Sequence, residues 1–202
     1  DTLASPQLLM QECRAHLADA SPRVRLAALA KLIPARWGNE AAALVVERLP
    51  DPDPQVRRLA AARLGENAEG SWRALGVRPE GGAAGLAALR IEVLDGLLRD
   101  DDPLVRWETL EFIGTAASIT FRGQARSMLD SSAELRKRLE AALGGRNPVA
   151  AAIAAGHLSA LGHPIGDRLL AAALDAGTAA DTRTRARTIR IVGRLRERPG
   201  LQ

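Results

Sequence analysis

One short phrase recurs along this chain: an acidic turn, a proline, then Val-Arg and an apolar run. It runs from Asp19 through Pro22, Val24, Arg25 and Ala28 to Leu32. It returns as Asp51, Pro54, Val56, Arg57, Ala60 and Leu64, and again as Asp100, Pro103, Val105, Arg106, Thr109 and Ile113. In all three copies these residues stand at offsets 0, 3, 5, 6, 9 and 13. A weaker fourth copy (Asp130, Leu135, Arg136, Leu139, Leu143) lacks the proline, and a fifth at Asp181 (Ala186, Arg187) is eroded. The first four copies start 32, 49 and 30 residues apart. A self-similar period of this length is the signature of stacked repeats, none of which can bury its apolar face alone.

Each offset has a physical reading. The Asp accepts hydrogen bonds from free N–H groups at a helix start, where its charge also suits the helix dipole. Proline at the first helical position has its φ preset and lacks an N–H that would have no partner there. The Val, the small residue and the Leu or Ile are spaced 4 and 4 apart, so they line one buried stripe. The small residue lets a neighbouring helix come close. Arg25, Arg57 and Arg106 lie at the edge of the stripe, placed to lie along the next repeat and reach the preceding acidic turn.

These residues resemble the bacterial HEAT-like repeat family, the short type also seen in phycobilisome lyases. The resemblance covers residues 19–64 and 100–143 and is only helical in character beyond 147. It implies an all-α fold: an α-solenoid, a right-handed superhelix of stacked antiparallel helix pairs with about five repeats. Residues 1–202 then form a single domain, with strong repeats at 19–143 and degenerate ones at 147–198. The long interval between the second and third copies holds a Gly-rich stretch, 67–85, which reads as an inserted loop.

Composition agrees with stacked helices. Hydrophobic residues make up 47% of the chain but aromatics only 2%, with no Tyr, so Ala and Leu must supply the core. Ala combines the best helix propensity with close packing, and alternating β-branched runs are missing. The pattern predicts helices over Pro6–Asp19, Pro22–Trp37, Asn39–Leu49, Pro54–Glu66, 84–99 and Pro103–Ser118. It continues with Phe121–Leu129, Ser132–Leu143, Pro148–Leu161, Ile165–Ala176 and 179–197. No stretch reaches the 18 or so apolar residues of a membrane span. A single cysteine, Cys13, rules out an internal disulfide framework and favours a reducing compartment, so the expected location is cytoplasmic. The chain begins at Asp1 rather than Met, which is also compatible with a removed signal peptide.

Charge is uneven. Residues 1–121 carry 14 Lys/Arg and 17 Asp/Glu, whereas residues 122–202 carry 14 and 7. Arg183, Arg187, Arg190, Arg194 and Arg198 are spaced 4, 3, 4 and 4, one face of the last helix. Such a stripe fits phosphates, an acidic protein partner, or the solvated cap that a terminal repeat needs.

Catalytic signals are weak. Trp37, Trp72 and Trp107 invite comparison with HEAT-like alkylpurine DNA glycosylases, but no Asp stands beside a Trp-lined basic cleft. His16, His157 and His163 are not followed by Glu, as paired-iron HEAT-repeat hydroxylases would require. There is no Gly-x-Ser-x-Gly, no Gly-Lys-Ser/Thr phosphate loop and no Cys-x-x-Cys. The expectation is a non-catalytic scaffold for protein–protein interaction, with no cofactor, metal or small-molecule substrate. Nucleic-acid binding through the basic C-terminal half is the alternative, and a DNA glycosylase comes third. Trp72 in the inserted loop reads as an exposed anchor, with Arg73 and Arg78 beside it and the terminal arginines next.

Overall fold

The computed structural model describes residues 6–75, 83–121, 132–145, 147–161 and 186. Among these residues the regular structure is helical, with no strand. In chain order the helices are α1 (Pro6–Leu17), α2 (Pro22–Lys31), α3 (Pro34–Val46) and α4 (Pro54–Leu64). There follow a 3₁₀ turn (Gly65–Asn67), α5 (Ala68–Leu75), α6 (Ala83–Leu98), α7 (Pro103–Phe121), α8 (Ser132–Leu143) and α9 (Pro148–Ala160). No described helix is long and apolar enough to cross a membrane. The expected helices over Phe121–Leu129, Ile165–Ala176 and 179–197 lie essentially outside the described residues.

Two local expectations are corrected. The first repeat helix stops at Lys31 instead of running to Trp37. Pro34 disfavours helical backbone at the residue before it, so Ile33 is extended, as is Leu32. A new turn starts at Pro34 and breaks again at Gly38, whose φ of 75° is a conformation that glycine adopts without strain. The second correction concerns 67–85. Residues 68–75 are helix α5, and the Asn67 side chain accepts a hydrogen bond from the Gly70 N–H (3.0 Å), three residues on. Asn67 and Gly70 are loop formers by composition; here one side chain satisfies a free N–H of a helix start. The other leaves room: a Cβ on Gly70 would stand 2.7 Å from Asn39 Oδ1.

In the second and third copies the capping side chain is not the Asp that opens the phrase but the residue two further on, whereas Ser21 in the first makes no side-chain cap. Asp53 accepts from the N–H groups of Gln55 and Val56 (2.8 and 3.2 Å), and Asp102 from that of Leu104 (2.8 Å). Asn147 does the same for α9. The opening Asp closes a tighter turn just upstream. Asp19, Asp51 and Asp100 accept from the N–H groups of Ser21, Asp53 and Asp102 at 2.7, 3.0 and 2.9 Å. Such Asx turns hold the carboxylate in a fixed direction.

The chain forms two compact units, Asp1–Phe112 and Ile113–Gln202. In the first, α2 packs on α4 and α3 on α5; α1 packs on α2, and α3 also touches α4. The stripe positions do what their spacing predicts: Ala28, Ala60 and Thr109 are buried, and so are Leu32, Leu64, Val56 and Val105. Thr109 satisfies its hydroxyl on the Val105 carbonyl (2.8 Å). Val24 is the exception, only half-buried. In the second unit α8 packs on α9. Leu135 and Leu139 of α8 are buried, and α9 is buried around most of its girth from Ala151 to Ala155. α7 comes close to α9 at Gly114, where a Cβ would fall 2.0 Å from Cγ of His157.

Candidate interaction surface

The phrase arginines form a ladder within the first unit. Arg25 lays a fork on Asp51, the acid opening the next phrase, with Nε to Oδ2 at 2.8 Å and Nη2 to Oδ1 at 2.7 Å. Its Nη1 turns back to the carbonyls of Asp19 and Ala20 (2.9 and 3.0 Å). Arg57 repeats the arrangement on Asp100 (2.8 and 3.2 Å), with Nη1 on the carbonyls of Asp51 and Pro52. Arg106 donates to the carbonyls of Asp100 and Asp101 in the same way. Each guanidinium thus staples its own turn, and in the first two copies it also grips the following one. A bidentate fork fixes direction as well as distance, which a lysine cannot do.

The Arg25–Asp51 pair is nearly dry, at 8% and 5% exposed. Burial pushes the Asp51 carboxyl up, but hydrogen bonds from Arg25 and from the Asp53 N–H outweigh it and hold the group below its usual range. Asp100 is held down by the same contest with Arg57 and the Asp102 N–H. A buried pair of this kind adds little net stability over apolar packing, yet removing one partner strands a charge. Its contribution is register.

Three further arginines reinforce the stacking. Arg58 bonds Asp102 (2.6 Å). Arg48 Nη1 donates to the Leu17 carbonyl at the end of α1 (2.9 Å), and Arg63 Nη2 to that of Ala30 near the end of α2 (2.9 Å). These carbonyls are the unsatisfied acceptors of helix C-termini, where a cation is also favoured by the dipole. Sequence reasoning passed over Arg48 and Arg63, because neither stands at an offset shared by all three phrases.

The expected site residues fare differently. Trp72 is fully buried in α5, so it is not a protruding anchor; the helix that replaces the expected loop turns the indole inward. Arg73 is exposed and pairs with Glu69 one turn earlier. Arg78, Arg183, Arg187, Arg190, Arg194 and Arg198 lie outside the described residues. Trp107 is buried in α7. His16 is exposed, His157 half-buried, and His163 lies outside the described residues. Among the described residues no three His, Cys, Asp or Glu side chains gather as metal ligands would.

One open groove stands out, between α1 and α2, with a volume of about 350 Å³. Cys13, Val24, Ala27 and Ala28 form its apolar part, and Glu12, His16, Arg23 and Lys31 rim it. Burial pushes the Cys13 thiol up, away from the thiolate form a nucleophile needs. The arrangement offers contact area and charge, not a reacting group. Compared with models of known protein families the chain finds no match, and none of the curated proteins matches it.

Proposed function

We propose that the chain is a non-catalytic HEAT-like repeat scaffold, an α-solenoid that binds another protein along its successive repeats. The observation that carries the reading is the twice-repeated fork, Arg25 on Asp51 and Arg57 on Asp100, set in identical turns. Repeats tied in one register present a preformed surface, and a surface ordered in advance loses less entropy on binding. Solenoids use such extended faces in place of a pocket.

The test is affinity capture with the intact chain, followed by hydrogen exchange on the recovered complex. The expected result is protection spread over several consecutive helices. Protection confined to one small cavity, or release of a methylated base from DNA, contradicts the scaffold.

Nucleic-acid binding is the second reading, favoured by the excess of 14 Lys/Arg over 7 Asp/Glu after residue 121. It expects retention of duplex DNA at low salt, lost when Arg187, Arg190 and Arg194 become Glu. Absence of that retention in the native protein removes it.

A further inference from the structure

The α1–α2 groove carries its charges in a fixed order. The two helices pack against each other across a turn of four residues, so they run antiparallel. On the rim, α2 presents Arg23, Ala27 and Lys31 at intervals of four residues, about 6 Å apart along the helix. α1 presents Glu12 and His16 at the same spacing, and Leu8 lies one step earlier on that row. Counting outward from the turn, His16 stands level with Arg23, Glu12 with Ala27, and Leu8 with Lys31. All six are exposed. Among the described residues no side chain pairs with Glu12, Arg23 or Lys31. Between the two rows Cys13, Val24 and Ala28 make an apolar floor.

We infer that this face joins a second copy of the chain, with Glu12 of each copy seated on Ala27 of the other, between Arg23 and Lys31. The dimer is isologous, its two-fold axis running along the groove. Rotation about that axis lays α1 of one copy over α2 of the other and keeps every residue at its level. Each carboxylate then meets a small side chain, with a guanidinium one turn to one side and an ammonium one turn to the other. Leu8 comes level with Lys31, whose aliphatic stem can cover it. The two apolar floors face each other. Rotation about an axis across the helices would instead stack Arg23 on Lys31 and Glu12 on Glu12, so charge selects one symmetry of the two. The mixture of signs also selects the occupant. A wholly acidic partner sets a like charge against Glu12, and a wholly basic one sets like charges against Arg23 and Lys31. The inference goes beyond the scaffold reading and does not depend on it.

The test is sedimentation equilibrium of the full chain at low salt and pH 8, above the range where imidazoles titrate. A contact this small is expected to dimerise with a Kd on the order of 0.1 mM and to weaken as salt is added. Glu12→Lys alone, or Arg23→Glu with Lys31→Glu in one chain, should raise that Kd roughly tenfold or more. Melting temperatures should not change, because all three residues are exposed. Mixed one to one, the two variants regain opposite charges at both contacts and should form a heterodimer with about the native Kd. Leu8→Glu should weaken the native dimer by a smaller factor. A native chain that stays monomeric at about 1 mM overturns the inference. So does a mixture no more associated than its two components, association indifferent to the charge changes, or a mass that grows past the dimer. The outcomes also separate the two readings. A monomeric native chain that captures a partner leaves the scaffold standing and removes this contact. A dimer that captures none does the reverse.

Discussion

The described residues of the two compact units show two ways of bringing helices together. In Asp1–Phe112, guanidinium forks reach from one turn to the next and arginines close the C-termini of neighbouring helices. Among the described residues of Ile113–Gln202, Gly114 leaves space for the His157 ring, and α9 is buried through a run made mostly of alanines. Arg136, at the offset held by Arg25 and Arg57, is exposed. A fork specifies which turn meets which, since only one carboxylate lies at the right place. A small residue specifies how near two helices come and says little about register. In the described residues the forks thus fix pairwise partners in the first unit, while Gly114 fixes a distance in the second.

Several substitutions can break this contrast. The largest effect is expected from Trp72→Ala in the first unit, about 4 kcal/mol of lost stability in urea unfolding, from removal of a fully buried indole. A loss of partner binding without a loss of stability would restore the anchor role that its burial argues against.

Asp51→Asn should follow at about 3 kcal/mol, because it leaves the Arg25 charge buried against a neutral group. Asp100→Asn should cost less, since that pair is more exposed. Acid acts on the same two groups. Each has a folded pKa below its unfolded one. Its contribution is therefore complete above the unfolded value of about 3.9 and lost as the pH falls through the folded one. Stability of the native chain should drop more steeply below about pH 4 than that of the double Asn variant.

In the second unit Gly114→Ala should cost about 2 kcal/mol by overpacking against His157. His157→Ala should recover most of the loss, and simple addition of the two effects would show that the contact is unimportant. Asp19→Asn should lie within about 0.5 kcal/mol of the native protein. A large effect there would mean that Asp19 has a structural role its exposure conceals.

Much of the fold was legible because the phrase repeats. Three aligned copies expose the apolar stripe, the proline and the arginine at once, and all but Val24 of the stripe is buried as the spacing requires. The bonds of Arg25 to the preceding acidic turn followed from its place at the stripe edge, but its fork on Asp51 of the following turn did not. What escaped were features specified by a partner far along the chain. Arg48 and Arg63 are ordinary surface arginines until the carbonyls of Leu17 and Ala30 are placed beside them. Gly70 and Asn67 read as loop because local propensity cannot see Asn39 across the helix pair. Asp19 looked like its two equivalents, and only the packing shows that its carboxylate, unlike theirs, is exposed and receives no arginine fork among the described residues.

The ladder holds register only if the forks act as pairs, and a double-mutant cycle on Arg25 and Asp51 measures this directly. Unfolding free energies would be taken for Arg25→Gln, Asp51→Asn and the combination. Coupled partners should show a combined loss no greater than the larger single loss, since the second change removes a charge the first has already stranded. Strict additivity of the two losses would contradict the ladder.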